Sequence, residues 1–188
     1  MNWRKILEDR LSPPNDATYP GEHGIAASVI IPIGRDKNTG TEQILMTKRT
    51  DLVQSHKNEV GFPGGVYDTS DKGNLLLTAL REMEEEVGVP YQALEVLGLL
   101  SPVTTIGEIL VFPFVAVMEF PFPYILNKQE VAKTLYVPLN QLMEEGLKPM
   151  EVPVGNKKVR SIGLFAEGER IWGASAMMLH ELRELLLK

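Results

Sequence analysis

The sequence Arg81-Glu82-Met83-Glu84-Glu85-Glu86-Val87-Gly88-Val89 carries four glutamates within five positions. Apolar residues recur at helical spacing through and before it: Leu76, Leu80, Met83 and Val87. Gly88 and Pro90 are typical signals for the end of a helix. We therefore predict a helix from about Asn74 to Val87, with the glutamates in its last turns.

Three of these glutamates form an acidic cluster. Glu82, Glu85 and Glu86 stand at i, i+3 and i+4, so their side chains share the face opposite the apolar residues. Like charges at this spacing cost roughly 0.2–0.5 kcal/mol per pair, and the negative end of the helix dipole disfavours each anion by about 0.3–1 kcal/mol. A bound Mg²⁺ or Mn²⁺ would reverse both penalties, because these cations prefer hard oxygen ligands. The alternative is a solvated acidic face that Arg81 helps to neutralise.

A glycine loop precedes the helix. Phe62-Pro63-Gly64-Gly65 follows an extended segment, and the glycines let the backbone approach a ligand or metal closely. The sequence here resembles the Nudix box, at about residues 65–89. The resemblance lies in the order of its parts: a glycine loop, a helix, and then Arg-Glu-hydrophobe-x-Glu-Glu-x-Gly-hydrophobe. The resemblance implies a hydrolase that cleaves a nucleoside diphosphate linked to another group. It also implies the α/β class and an α/β/α sandwich with a mixed β-sheet.

The first half of the box departs from the family pattern. In that pattern a glycine is followed by five residues, a glutamate, seven more residues and then the arginine. Counting back from Arg81 reaches Gly73, whereas counting forward from Gly65 reaches Asp71, so the loop is two residues longer. Asp71 or the nearby Asp68 either lies close to the metal or caps a helix. Capping is the favoured interpretation, because an aspartate before a helix satisfies free N–H groups.

A second resemblance points to a substrate. Residues 45–65 are similar to the segment before the Nudix box in the coenzyme A pyrophosphatase subfamily. The positions that match are Thr47, Arg49, His56, Phe62, Pro63, Gly64 and Gly65. Gln54 and Asn58 depart from the pattern, and one arginine that would hold phosphate oxygens is missing. The resemblance implies hydrolysis of coenzyme A or its acyl derivatives. The alternatives are another Nudix substrate (ADP-ribose, a dinucleotide or a nucleoside triphosphate) and a noncatalytic nucleotide-binding module.

The resemblance further implies roles for single residues. The expected ligands of Mg²⁺ or Mn²⁺ are the carboxylates of Glu82, Glu85 and Glu86 and the backbone carbonyl of Gly64. Arg81 is expected to orient these carboxylates as part of the catalytic machinery. Glu84 lies on a different face of the helix, where we expect it only to be solvated.

The general base and the substrate contacts are less determined. Glu82 and Glu130 are the two candidates for the base, and Glu108 ranks behind Glu130, although each acid could equally be an ordinary surface residue. The residues expected to bind substrate are Arg49, His56 and Gly65.

Composition is consistent with a small-molecule enzyme. The chain has 188 residues, of which 44% are hydrophobic, so one domain spanning residues 1–188 is expected. The formal charge of −6 argues against nucleic acid as a partner, and a nucleotide-derived small molecule is compatible with it. Because the chain has no cysteine, disulfides and thiolate zinc sites are excluded. The sequence leaves open whether the protein forms a homodimer.

No segment predicts membrane insertion. Residues 1–11 read as an amphipathic helix, the start of a lead-in that reaches residue 20, rather than as a secretory signal. The apolar run 109–118 is too short to span a bilayer and contains Pro113. We therefore expect no membrane partner and a cytoplasmic location.

The remaining pattern alternates strands and helices, as a sheet covered on both faces requires. Strands are predicted at about 25–33, 43–48, 94–100, 109–118 and 135–137, and helices at about 139–144 and 174–187. Residues 152–159, with Gly155-Asn156 at the centre, predict a hairpin. Trp172 and the run 177–179 are expected in the core.

Overall fold

The computed structural model describes residues 2–17, 19, 21, 25–155 and 157–188. Its helices are α1 (Trp3–Arg10), α2 (Leu75–Val87), α3 (Leu139–Glu145) and α4 (Gly173–Leu187). Its strands are β1 (Ala26–Arg35), β2 (Glu42–Arg49), β3 (Val60–Gly61), β4 (Gly64–Val66), β5 (Glu95–Leu99), β6 (Val103–Thr104), β7 (Leu110–Val117), β8 (Val131–Pro138), β9 (Lys148–Val154), β10 (Lys157–Ala166) and β11 (Glu169–Trp172).

The main sheet is mixed, as predicted. Its central path runs β3-β2-β1-β7-β5, with β4 paired to β1, β6 to β7 and β8 to β2. Strands β1 and β7 are parallel, whereas the other pairs in this sheet are antiparallel. The pairing of β1 with β4 sets Ser28 opposite Gly65 and Val29 opposite Gly64, so the glycine loop is fixed to a central strand.

Helices cover both faces of this sheet. On one face α2 buries its apolar residues against β1 and β7, in a core that includes Leu75, Ala79, Met83, Ile30 and Phe114. On the other face α1 and α4 pack on a second core, which includes Leu7, Leu179, Leu182, Ile31 and Val115. The α/β/α sandwich that the sequence predicted is confirmed, because strand residues alternate between these two cores.

A smaller three-stranded sheet, in the order β11-β10-β9, follows α3. The predicted hairpin forms the turn region of the longer β9 and β10, although Asn156 lies outside the described residues. Glu169 in β11 connects the two sheets: its carboxylate pairs with Lys48 Nζ at 2.9 Å and with Lys133 Nζ at 3.0 Å. The same contacts lower the pKa of Glu169.

Several predictions of local structure need correction. The apolar stripe of α2 consists of Leu75, Ala79, Met83 and Val87, whereas Leu76 and Leu80 are only partly buried. Met177 is 51% exposed rather than in the core. The short strands β3, β4, β6 and β11 were not predicted, because two to four residues carry too little periodicity. Within the described ranges, every helix is too short or too polar to cross a membrane.

Candidate active site

Helix α2 begins and ends at residues whose side chains or backbone cap it. The Asn74 side chain accepts hydrogen bonds from the amides of Leu76 and Leu77, at 3.0 and 3.3 Å. At the other end Gly88 takes a left-handed conformation, φ +73°, and its N–H bonds the Glu84 carbonyl. These caps fix where the helix begins and ends, and the packing of Leu75, Ala79 and Met83 in the core sets its rotation and therefore the directions of its glutamates.

Glu86 is a buried carboxylate, with a side chain only 3% exposed. Its Oε2 accepts from the Gly64 amide at 3.3 Å, and its Oε1 lies 3.5 Å from Arg49 Nη1. Burial raises the pKa of Glu86 to about 8, although the Arg49 charge and the Gly64 hydrogen bond oppose the shift. The interpretation of the cluster as a solvated acidic face is therefore wrong for Glu86.

Glu82 and Glu85 lie beside Glu86 and are more exposed, at 15% and 57% of their side-chain surface. Arg81 Nη1 bonds both of them, at 2.8 Å to Glu82 Oε1 and 3.0 Å to Glu85 Oε2. Burial raises the pKa of Glu82 despite the contact with Arg81, and the charges of Glu85 and Glu130 add to the increase. Glu84 is exposed on another face, as predicted.

Arg81 is held from the opposite side by Asp71, which is only 4% exposed. Arg81 Nε and Nη2 donate to Asp71 Oδ1 and Oδ2, both at 3.1 Å, which is a bidentate pair. Asp71 Oδ2 also accepts from Thr78 Oγ1 at 2.8 Å and from the Asp68 amide at 3.2 Å. Burial opposes ionisation of Asp71, but the bonds from Arg81 and Thr78 outweigh it and lower the pKa.

The capping role that the sequence favoured for Asp68 and Asp71 is confirmed. The Asp68 side chain caps the short helical turn Thr69–Asp71, and the Asp71 carboxylate accepts a hydrogen bond from the Asp68 backbone amide. The longer loop thus still delivers a buried carboxylate to Arg81. Asp71 contacts Arg81 and Thr78 rather than Glu82 or Glu86.

Glu130 lies close enough to the acidic cluster for its charge to raise the pKa of both Glu82 and Glu86. Its carboxylate accepts a hydrogen bond from Asn127 Nδ2 at 3.0 Å. Glu108, the lower-ranked candidate, sits in the turn before β7, where its amide bonds the Thr105 carbonyl. Because the Asn127 amide also bonds the Glu86 carbonyl, Glu130 is attached to the end of α2 that carries the acidic cluster.

The glycine loop approaches the cluster more closely than side chains would allow. A Cβ on Gly64 would stand 2.2 Å from the Ser28 carbonyl oxygen, and a Cβ on Gly65 would stand 2.4–2.6 Å from the Glu82 carboxylate. Contacts shorter than about 3 Å are incompatible with van der Waals radii. Glycine at both positions therefore permits α2 and β1 to enclose the loop.

The two predicted substrate-binding side chains differ in their surroundings. Arg49, at the end of β2, reaches Glu86, and its Nε is buried with no hydrogen-bond partner among the described residues. His56 is 62% exposed, and its Nδ1 lies 2.9 Å from Glu59 Oε2. The structure thus brings Arg49 to the acidic cluster and pairs His56 with Glu59 instead.

The donor chemistry of the cluster fits Mg²⁺ or Mn²⁺, because Glu82, Glu85 and Glu86 supply carboxylate oxygens and Glu86 is buried without a full counter-charge. Over the described part of the chain, no group of three or more acidic or histidine side chains already converges on a common point. Arg81 currently holds Glu82 and Glu85. Arg81 bonds only one oxygen of each, so the second oxygen of Glu82 and of Glu85 has no bond to Arg81.

Sequence reasoning missed two residues that shape the site. Asn127 connects Glu130 to the end of α2, and Thr50 bonds the Glu130 carbonyl through its amide. The order Asn127-Lys128-Gln129-Glu130 did contain a signal, because asparagine is typical of turns that bond an amide two residues on. The sequence alone does not show that this turn packs against the glutamate helix.

Comparison with known proteins is consistent with this geometry. A family model for the NUDIX domain matches residues 23–157. A curated relative from Photorhabdus laumondii, named an uncharacterized Nudix hydrolase NudL, is 34% identical over 174 residues, which cover 92% of this chain and 89% of that protein.

Solved structures share the fold. An Ap4A hydrolase from C. elegans, in a binary complex, superposes with a TM-score of 0.52 at 16% identity, over 64% of this chain and 85% of that one. The NUDIX domain of Shewanella oneidensis NrtR, complexed with ADP ribose, gives 0.51 at 16% identity, over 69% and 84%. By its family match and its curated relative, this chain belongs to the Nudix family and is a Nudix hydrolase.

Proposed function

We propose that this Nudix hydrolase cleaves the diphosphate bond of coenzyme A or its acyl derivatives, releasing 4′-phosphopantetheine and adenosine 3′,5′-bisphosphate. One observation carries the proposal: the segment that resembles the coenzyme A pyrophosphatase subfamily is also the segment that encloses the acidic cluster. Within it, Arg49 lies 3.5 Å from Glu86, and the Gly64 amide bonds the same carboxylate. The residues that would distinguish the substrate thus adjoin those that would perform the chemistry.

The acidic cluster would hold Mg²⁺ or Mn²⁺ through Glu82, Glu85, Glu86 and the Gly64 carbonyl. When bound, such cations neutralise a diphosphate, activate water and stabilise the leaving phosphate. Glu86 is the firmest ligand in this proposal, because its buried charge has only Arg49 and the Gly64 amide to compensate it. A bound dication would stabilise the Glu86 anion and would release the proton that this carboxyl keeps below about pH 8.

Glu130 would act as the general base that removes a proton from the attacking water, and Glu82 is the second candidate. The influence of the Glu130 charge on Glu82 and Glu86 supports this choice, since a base must act beside the metal-binding carboxylates. Arg81, fixed to Asp71 by two hydrogen bonds, would orient Glu82 and Glu85 rather than contact substrate.

Arg49 is the best-supported substrate contact. Its buried Nε lacks a partner within the described residues, and a planar guanidinium holds phosphate oxygens at two points. Gly65 would leave room for substrate beside Glu82. His56 is proposed from the subfamily resemblance alone, and binding of phosphate would require it to leave Glu59.

A second candidate is a Nudix hydrolase of ADP-ribose, a dinucleotide or a nucleoside triphosphate. Two observations favour it: Gln54 and Asn58 depart from the coenzyme A pattern, and a solved structure with this fold binds ADP ribose. Coenzyme A carries a 3′-phosphate that ADP-ribose lacks. An arginine at the position of Gln54 could bind such a phosphate, so its absence favours a substrate without it.

The experiment is product analysis after incubation of the purified protein and Mg²⁺ or Mn²⁺ with separate substrates. The panel contains coenzyme A, acetyl coenzyme A, 3′-dephosphorylated coenzyme A, ADP-ribose, a dinucleotide and the nucleoside triphosphates. We expect coenzyme A or its acetyl derivative to be cleaved fastest, with adenosine 3′,5′-bisphosphate as a product. Faster release of AMP from ADP-ribose, or of pyrophosphate from a triphosphate, would contradict the coenzyme A proposal and favour the second candidate.

A further inference from the structure

The segment between β7 and β8 crosses the C-terminal end of α2. The last carbonyl groups of a helix have no partner within it, and two of those in α2 are satisfied by this segment. The Ile125 amide donates to the Val87 carbonyl at 3.1 Å, and the Asn127 amide donates to the Glu86 carbonyl at 2.9 Å. Asn127 is therefore attached to the backbone of the most buried glutamate.

The side chain of Asn127 extends this connection to Glu130. Its Nδ2 donates to Glu130 Oε1 at 3.0 Å, while its Oδ1 accepts from the Gln129 amide at 3.1 Å. Its backbone carbonyl also accepts from the amides of Glu130 and Val131, at 3.0 and 2.8 Å. One residue thus joins the end of α2 to both the backbone and the carboxylate of Glu130.

The backbone beside Glu130 is fixed from the other side by Thr50. The Thr50 amide donates to the Glu130 carbonyl at 2.8 Å, and its hydroxyl donates to the Gln129 carbonyl at 2.7 Å. These bonds hold the main chain but leave the Glu130 side chain free to rotate. Across the described ranges, the carboxylate of Glu130 has one hydrogen-bond donor, the Asn127 amide group.

We propose that Asn127 is a positioning residue, which holds the Glu130 carboxylate beside the end of α2 that carries Glu86, so that it can accept a proton from the attacking water. The inference rests on the proposed function, in which Glu130 is the general base. An alternative is that Asn127 only forms the turn, through its Oδ1 and backbone. The two roles use different atoms of one side chain, and Asn127→Asp separates them.

Asn127→Asp keeps an oxygen for the Gln129 amide but replaces the donor to Glu130 with an anionic oxygen. A carboxylate misplaced by about 1 Å loses about a hundredfold in rate, so we expect kcat to fall about tenfold to a hundredfold with KM almost unchanged. Asn127→Ala, which removes both side-chain bonds, should lower kcat similarly. Asn140→Asp, at an exposed position in α3, is the matched control.

A double-mutant cycle with Glu130→Gln gives the decisive comparison. If Asn127 acts through Glu130, Asn127→Asp should lower kcat no further in the Glu130→Gln background. Independent, multiplicative losses would overturn the inference, as would unchanged kcat in Asn127→Asp. In that case coenzyme A would still be cleaved, so the proposed function would stand.

An NMR measurement tests the contact without turnover. The Asn127 side-chain amide resonance, assigned by its loss in Asn127→Asp, should shift when Glu130→Gln removes the carboxylate, and it should not shift in Asn140→Asp. An unmoved resonance would overturn the inference. If the wild-type protein cleaved no substrate of the panel, the proposed function and the positioning role would both fall, whatever the resonance showed.

Discussion

The Glu82 carboxylate lies directly against the Cα of Gly65, in the space that any larger residue at position 65 would fill. An added Cβ would stand 2.4 Å from the Glu82 carboxyl carbon. Gly65 also pairs with Ser28 across the sheet, so its backbone has little freedom to retreat. The Glu82 side chain is the part of this contact that can move.

Gly65→Ala is therefore expected to reduce activity much more than stability. The Cβ would push Glu82 out of the cluster, whereas the extended backbone of β4 accepts alanine, which by its effect on the unfolded chain favours folding by about 0.4–1 kcal/mol. We expect kcat/KM to fall by about tenfold or more. Steady-state kinetics and urea unfolding of the same preparation measure the two effects.

Gly107→Ala is the matched control, because the nearest atom to a Cβ there would be Thr105 Oγ1 at an ordinary 3.9 Å. It should leave both activity and stability unchanged. Full activity of Gly65→Ala would show that turnover does not depend on the Glu82 carboxylate lying against Gly65.

Asp71→Ala is expected to destabilise the protein by about 1.5–3 kcal/mol, because it removes the buried bidentate partner of the Arg81 guanidinium. Asp68→Ala removes only an exposed cap of a short turn, and it should cost clearly less than Asp71→Ala. Urea unfolding of both variants tests the difference. Equal losses of unfolding free energy in the two variants would indicate that Asp71 stabilises the protein through capping rather than through its pair with Arg81.

Glu86 should make the stability of the metal-free protein depend on pH. Its pKa is about 8 in the folded state, against about 4.3 in an unfolded chain. Between these values the unfolded chain has released this proton while the folded protein keeps it, so a rise in pH favours unfolding. The stabilising contribution is complete below the unfolded pKa and is lost as pH rises to about 8.

The measurement is the free energy of unfolding of wild type and Glu86→Gln from about pH 5 to about pH 9. The difference between them should change across this range and level off above about pH 8. Parallel curves would contradict the raised pKa, since glutamine cannot titrate.

Removal of divalent metal should abolish turnover reversibly. The cluster groups three glutamates on one helix, and a diphosphate shielded by its own oxygens requires cations for attack by water. Chelation followed by addition of Mg²⁺ or Mn²⁺ should remove and restore activity. Full activity after exhaustive removal of metal would contradict the proposed chemistry.

Features determined by neighbouring residues in sequence were predictable. The bounds of α2 follow from Asn74 and Gly88, which act within a few residues of themselves, and the predicted helix and the observed one agree. The long strands β1 and β7 were predicted because each carries a long apolar run, and β2 was predicted around the shorter run Ile44-Leu45-Met46. The mixed sheet was expected from the family resemblance, and it is confirmed.

Features determined by packing between distant segments were not predictable. Helical spacing alone left Glu86 on a face open to solvent, whereas the glycine loop, about twenty residues earlier in the chain, buries it. The contact of Asn127 with α2 was missed for the same reason, since the Glu86 carbonyl that its amide bonds lies about forty residues earlier in the chain. The single domain, the cytoplasmic location and a homodimer stay predictions.

The most direct test of the proposed chemistry compares turnover of coenzyme A by Glu86→Gln and Glu84→Gln under saturating Mg²⁺. The two residues lie two positions apart on α2, one buried and one exposed. We predict that Glu86→Gln loses activity by orders of magnitude while Glu84→Gln keeps that of the wild type. Equal losses in both variants, or full activity in Glu86→Gln, would contradict the assignment of the buried cluster as the catalytic site.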